Sequence, residues 1–387
     1  MTQFKTHVCL VSSQAAPNIL PVLDEQMKPE NVVLLITEAM KEKAGYLEQV
    51  LKPRGIKVQK FDIDENQEFE GLQNQLLEIV SELEESDGDI ALNVTGGNKW
   101  MAIAAQEVFR SALQKPVFYV DISSDRVMFL DKNIATHVLS EQINLRSYIQ
   151  AYGYDYKEPS QVQATGANDK LRELCQEMVL NVAEWQGAIG QLNALAAYNS
   201  PKARPMFAPF TDVLGNAKDP CLERLLRECK LAELLKYNDE GVTFKGEYER
   251  DFANGGWLEV HVNNTLNGLK GNGVIQDSPK LNLHIHKVEN KSSHNEVDVA
   301  FMAKNRLHII ECKTKRMSGK GGVNSTDTLY KMDSISELGG LGSKSMLVSY
   351  RKLNQADRQR AKDLKIRVVE AEQIANLKDA LRNWIAQ

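Results

Sequence analysis

Asp298, Glu311 and Lys313 sit in NEVDVAFMAKNRLHIIECKTK, two apolar runs around a short polar turn, and put ionisable groups where side chains should be buried. A two-residue turn at Lys304-Asn305 sets Asp298 opposite Glu311 across an antiparallel ladder. Opposed residues have Cβ atoms ~5 Å apart, close enough for both carboxylates to touch one divalent cation. Lys313, two residues after Glu311, falls on the same face by strand alternation. Two carboxylates with an adjacent ammonium suit phosphodiester hydrolysis. Hard oxygen ligands hold Mg²⁺ or Mn²⁺, and the lysine can orient a water and offset developing charge. A solvated cross-strand charge pair would use the same residue types. Context favours chemistry: Leu307, Ile309 and Ile310 precede Glu311, and Val297 and Val299 flank Asp298, so both carboxylates lean on an apolar layer and need partners.

The elements that must position these groups begin near Tyr248. A helix through WLEVHVNNTL precedes the strands LHIHKV, NEVDVAFMAK and RLHIIECKTK. A Gly/Lys loop (MSGKGGVNS), a helix (TLYKMDSISELG), the strand SMLVSY, the helix QADRQRAKDL, the strand IRVVE and a terminal helix follow, an α-β-β-β-α-β-α-β-α succession. The first ~150 residues alternate strand and helix patterns, which predicts a Rossmann-like parallel α/β sheet. Its strands are HVCLVSS, NVVLLIT, IKVQKFDI, DIALNVT and PVFYVDI, with a helix near 18–27 after the first and a closing hairpin from RVMFL and ATHVL. GYDYKEPSQVQATGAND reads as a linker. The helices KLRELCQEMVLNVAEW and CLERLLRECKLAELL with the strand GVTFKG are compatible with a winged helix, although a plain helical connector is the preferred reading. The expected division is 1–152, 153–247 and 248–387.

At 387 residues, with 42% hydrophobic and 26% charged residues, the chain reads as a globular protein of two or three domains. No run approaches a membrane span and MTQFKTHVCLVSS enters a strand directly, so neither membrane nor signal peptide is expected. Five cysteines without CxxC spacing predict a reducing cytoplasm and no zinc or disulfide framework. The net charge of −5 hides an asymmetry. Residues 1–150 carry 14 Lys/Arg against 22 Asp/Glu, whereas residues 304–367 carry 15 against 6. A basic stretch around the carboxylate pair would attract a polyanion such as nucleic acid, a solvated basic face being the alternative.

Two loops of the first unit can face a ligand. Ser12-Ser13-Gln14-Ala15-Ala16-Pro17-Asn18 leaves the first strand and Asn93-Val94-Thr95-Gly96-Gly97-Asn98-Lys99 leaves the fourth. In a sheet of order 3-2-1-4-5 these strands are neighbours at the topological switch point and their loops share a crevice. Gly96 and Gly97 allow close backbone approach, the amides opening the next helix favour anions, and Thr95 and Lys99 add a hydroxyl and a cation. The loop is neither a Walker A nor a GxGxxG sequence, so ATP hydrolysis and NAD binding are poorly supported. His284 and His286 share one strand face, but nothing near completes a zinc set; Trp100 and Trp257 read as core residues. His294 and Glu296 could touch substrate.

At LVSSQAAPN and NVTGGNKWMA the chain resembles CARF domains, the CRISPR-associated Rossmann-like sensors, and its WLE…EVDVAF…IIECK series is similar to a PD-(D/E)xK, restriction-endonuclease-like core. In this order and at this length they resemble the cyclic-oligoadenylate-activated nucleases of type III CRISPR antiviral defence. The resemblance implies a homodimer binding cyclic tetra-adenylate across its two-fold axis through Ser12, Ser13, Gln14, Asn18, Thr95, Gly96, Gly97, Asn98 and Lys99. It implies cleavage of DNA or RNA with Mn²⁺ or Mg²⁺ held by Asp298, Glu311 and the Cys312 backbone carbonyl. Lys313 becomes the water-positioning cation and Glu259, on the preceding helix, holds the metal through water. Val297 replaces the proline of the motif. A ligand-responsive regulator that binds nucleic acid without cutting it is the alternative.

Overall fold

The computed structural model describes residues 3–86, 89–140, 143–158, 169–198, 206–275, 277–290, 294–315 and 325–387. Strands β1 (Thr6–Leu10), β2 (Asn31–Ile36), β3 (Lys57–Asp62), β4 (Ile90–Asn93), β5 (Val117–Asp121), β6 (Arg126–Phe129) and β7 (His137–Val138) form one sheet of order β3-β2-β1-β4-β5-β6-β7. Strands β1 to β5 run parallel and the β6–β7 hairpin closes one edge, as the alternation predicts. The unbroken apolar runs of β1, β2 and β4 follow from helices on both faces. Helices α1 (Ala16–Leu23) and α2 (Lys41–Leu51) cover one face, and α3 (Phe69–Ser86) and α4 (Lys99–Glu107) the other. The first helix stops at Leu23, short of the expected residue 27. After α5 (Leu145–Ala151) the chain forms β8 (Tyr154–Lys157), which leaves this sheet and joins another.

The middle unit begins with α6 (Asp169–Leu180) and α7 (Val182–Ala197), then β9 (Phe207–Pro209), α8 (Phe210–Leu214), α9 (Leu222–Leu231), β10 (Leu235–Tyr237) and β11 (Gly241–Phe244). The three strands form an antiparallel sheet of order β10-β11-β9. From α7 to β11 this is the element order of a winged helix, so the preference for a plain connector is corrected. Amphipathicity builds it: Leu222, Leu225, Leu226 and Cys229 of α9 are buried while Glu223, Arg224 and Arg227 stand out.

Helices α10 (Glu247–Asp251) and α11 (Trp257–Gly271) lead into β12 (Lys280–Lys287), β13 (His294–Ala303), β14 (Arg306–Lys313), α12 (Ser325–Ser336), β15 (Lys344–Ser349), α13 (Gln355–Asp363), β16 (Arg367–Glu370) and α14 (Leu377–Ala386). Their sheet has the order β16-β15-β14-β13-β12-β8, with β14, β15 and β16 parallel and the rest antiparallel. Strand β8 corrects the expected linker: Tyr154–Lys157 is an edge strand, and residues 159–168 lie outside the described residues, as does most of the Gly/Lys loop. Lys304 and Asn305 both have left-handed backbones (φ 48° and 52°), the requirement of a two-residue hairpin turn. That turn pairs Ala303 with Arg306 and Val299 with Ile310, the expected register.

The two faces of this sheet belong to different cores. Val299, Phe301, Ala303 and Ile310 pack with Trp185, Leu225 and Trp257 of the middle and C-terminal helices. Ala300, Met302, Leu307 and Ile309 pack with Tyr148, Tyr152 and Val11 of the N-terminal unit. Continuous apolar contact therefore ties all three units together. Among the described residues no helix is long and apolar enough to cross a membrane.

Candidate active site and ligand loops

The backbone ladder between β13 and β14 ends at Val299–Ile310, one position before Asp298 and Glu311. There a side chain takes over: the Cys312 N–H donates to Asp298 Oδ2 at 2.7 Å. Lys313 Nζ donates to Glu311 Oε1 at 2.6 Å and to the Cys312 carbonyl at 3.2 Å, and stands 3.7 Å from Asp298 Oδ2. The three groups expected to converge do so. Asp298 and Glu311 are 8% and 4% exposed, so these are buried charges that require partners. Glu259 enters from the first turn of α11, where the large core side chain Trp257 anchors the helix.

Electrostatics follow from crowding. Burial, then the charge of Glu311, push the Asp298 pKa up to about 6 against the pull of Lys313. Burial and Asp298 push Glu259 up to about 8. Burial opposes the charge of Lys313, but Asp298 and Glu311 outweigh it and hold its pKa above the ordinary lysine value. Three carboxylates around one ammonium are negative in excess when ionised, a donor set of hard oxygens that suits a divalent cation. Among the described residues no three His, Cys, Asp or Glu side chains already surround one point as ligands. The expected set contains only two side chains plus the Cys312 carbonyl, which here accepts from Lys313.

Sequence reasoning missed Asn282. It stands on β12 across from Asp298, with a left-handed backbone (φ 51°) in mid-strand, and its amide is among the groups that oppose the rise of the Glu259 pKa. A polar residue inside LNLHIHK was the available signal. His284 and His286 lie further along β12 toward β8. The side chain of His294 is outside the described residues.

The two loops of the N-terminal sheet meet as expected, because β1 and β4 are neighbours. Their groups divide. Asn18 is buried, donating to the Leu10 carbonyl at 2.9 Å. Asn93 donates to Pro17 O (2.8 Å) and Asn18 Oδ1 (3.1 Å) and accepts from the Thr95 hydroxyl (2.7 Å), which itself accepts from the Val120 N–H (2.8 Å). Asn18 and Thr95 thus brace the loops. A Cβ on Gly96 would lie 1.8 Å from the Leu10 carbonyl oxygen, so β1 itself demands that glycine, and Gly97 (φ +70°) abuts the Leu10 side chain. Ser13, Asn98 and Lys99 are exposed, and Asn98 caps α4 by accepting from the Met101 N–H at 2.9 Å. Trp100 corrects its core assignment: it is 47% exposed and stands edge-on to Phe69. Gln14 points elsewhere, accepting the Leu341 N–H at 2.9 Å from the loop before β15.

A Rossmann-like sheet with paired switch-point loops, joined to a sheet carrying an Asp…Glu-x-Lys constellation, defines a CARF-type sensor fused to an endonuclease. Residues 6–148 match the family described as "Card1 CARF domain" and residues 246–387 that described as "Card1-like, endonuclease domain". Can2 from Sulfobacillus thermosulfidooxidans, solved in complex with cyclic tetra-adenylate, is 30% identical over 99% of this chain and 98% of that chain, with a TM-score of 0.80. The chain therefore belongs to the Card1/Can2 family of CARF-domain nucleases. Protein VC1899 from Vibrio cholerae is 28% identical over 98% of each chain (TM-score 0.87). A type III CRISPR defence DNA nuclease activated by cyclic oligoadenylate shares the fold at 18% identity, covering 92% of this chain and 46% of that one (TM-score 0.55). A search of curated proteins returned no match.

Proposed function

We propose that this protein is an endonuclease of CRISPR defence, switched on by cyclic tetra-adenylate at the β1 and β4 loops and cutting nucleic acid at Asp298, Glu311 and Lys313 with Mn²⁺ or Mg²⁺. The carrying observation is the convergence of Lys313 Nζ on Glu311 at 2.6 Å and on Asp298 at 3.7 Å at the open end of the β13–β14 ladder. Asp298, Glu311 and the Cys312 carbonyl would hold the divalent cation, which would supply Lewis acidity at the scissile phosphate. Lys313 keeps its proton in this environment, which suits it to orient the attacking water and offset charge on the phosphate. Glu259, in the first turn of α11, would hold the cation through water. The units serve as 1–152 sensor, 153–247 middle unit and 248–387 nuclease, with β8 lent to the nuclease sheet. A homodimer in the cytoplasm, its ligand seated across the two-fold axis, completes the reading.

Labelled single-stranded DNA, duplex DNA and RNA, incubated with and without cyclic tetra-adenylate and Mn²⁺, test it. Ligand- and metal-dependent products are expected, while Asp298→Asn and Glu311→Gln abolish cutting and retain ligand binding. Undiminished cutting in EDTA, or by either variant, would overturn the reading. The winged-helix order of α7 to β11 supports a second reading, a ligand-responsive nucleic-acid binder. Ligand-dependent duplex shifts with no product would select it.

A further inference from the structure

We infer that Asn193 of α7 and Thr314 form a positioning pair that fixes the end of β14 carrying Lys313, which makes the middle unit part of the nuclease site. The inference rests on the Asp298, Glu311 and Lys313 reading above and deepens it. Past Ile310, β14 has lost its ladder to β13 and pairs with β15 through Glu311↔Leu347, Cys312↔Val348 and Lys313↔Ser349. Lys313 is the last residue of the strand, and a strand end laddered along one edge frays readily. Thr314 follows it and is anchored by its side chain instead. The Asn193 amide donates to Thr314 Oγ1 at 3.1 Å, and the two residues are 3% and 5% exposed.

The neighbouring contacts come from the same two helices. The Tyr350 N–H donates to the Lys313 carbonyl at 2.8 Å, and the Tyr350 hydroxyl donates to the Met178 carbonyl of α6 at 3.1 Å. The Arg351 guanidinium donates to the Gln186 carbonyl of α7. Thr314 also lies against the π-turn Phe252–Gly256 that launches α11, where a Cβ on Gly255 (φ +129°) would stand 2.7 Å from Thr314 Oγ1. Thr314 therefore sits where α7, the start of the helix bearing Glu259 and the strand bearing Lys313 meet. Stability alone does not account for the pair. Asn193 stands with Ile189, Leu192 and Ala196 on the buried face of α7, and among the described residues its Oδ1 has no hydrogen-bond partner. Apolar groups of the same shape at both positions would be at least as stabilising.

The double variant Asn193→Leu/Thr314→Val separates the roles, because it keeps the packing and removes the hydrogen bond. Its melting temperature should be no lower than that of the parent protein. With cyclic tetra-adenylate and Mn²⁺ saturating, kcat on the labelled substrate that the parent cuts should fall about tenfold at unchanged KM, since small misplacements at a reacting centre are costly. Thr314→Val alone should lose as much kcat as the double variant, whereas Thr314→Ser, which keeps the oxygen, should cut like the parent. Parent-like kcat in the double variant, or an equal loss in Thr314→Ser, overturns the role of the pair while leaving the nuclease reading standing. A kcat loss accompanied by a lower melting temperature does the same, since it marks a merely structural contact. Absence of cutting by the parent protein overturns both.

Discussion

Lys313 is the residue on which the nuclease site balances. Its ammonium lies against two buried carboxylates, and removing one partner of such a cluster leaves uncompensated charge in a poor solvent. Lys313→Met should therefore abolish cutting and also destabilise the fold by about 3 kcal/mol, read from urea unfolding without metal. Asp298→Asn in the same chain should recover part of that loss, because it removes one of the stranded charges. A neutral Lys313→Met would mean the carboxylates are already protonated or solvated. The identity and facing of Asp298, Glu311 and Lys313 were legible from alternation and one turn. Asn282 was not, since a left-handed backbone in mid-strand leaves no periodic trace. Glu259 stood out only by resemblance, because its neighbourhood arises when α11 folds onto the sheet.

Among the elements, the β13–β14 hairpin does most to join fold to chemistry. Its outer half carries His308, wholly buried, stacked on Phe301 at 5.0 Å and edge-on to Trp384 at 4.9 Å. Burial lowers its pKa to about 3. In the unfolded chain it returns to an ordinary value near 6.5, so below that pH the unfolded state binds a proton that the folded state refuses. Its contribution is thus complete above pH 6.5 and declines as pH falls toward 3. His308→Phe should reduce the dependence of stability on pH by about 1.4 kcal/mol per unit across that window. Urea titrations at several pH values between 4.5 and 7.5 measure it; parallel curves for parent and variant would show that His308 is solvated in solution. Of the middle unit's strands only β11 was legible, as GVTFKG; β9 and β10 are three residues long, too short for alternation to register, which is why they escaped sequence reading.

At the scale of the molecule, the hairpin whose far end carries Asp298 and Glu311 has its turn fixed in the sensor. The Asn305 amide donates to the Ser140 carbonyl at 3.1 Å, and Arg306 donates to the Ile122 and Ser123 carbonyls just past β5. A second link joins Gln14 of the β1 loop to the Leu341 N–H, with the Tyr148 hydroxyl donating to the Gly339 carbonyl at 2.7 Å nearby. A Cβ on Gly340 (φ +71°) would lie 2.5 Å from Gln14 Oε1 and 2.6 Å from the Tyr152 hydroxyl. Gly340→Ala must therefore break this link by displacing the Gln14 side chain, while the residues of both ligand loops stay the same. If the link belongs to the resting state, the variant should bind cyclic tetra-adenylate about fivefold more tightly and cut more without it, since coupling between sites is reciprocal in binding free energy. Calorimetry and a ligand-free cleavage assay measure the two effects. No change in either would mean the link carries no coupling.

The sequence by itself determined the local matters: the strand and helix alternation of the first unit, the hairpin register and the facing of two acids and a lysine. Each depends on alternation, turn length or apolar runs, which act over a few residues. Tertiary structure alone decided where Gln14 reaches, that Asn18 and Thr95 brace loops, that residues 154–157 complete a distant sheet, and that Asn282 takes a left-handed backbone in mid-strand. These outcomes come from packing between segments far apart in the chain, where the partner, and not the residue, sets the conformation.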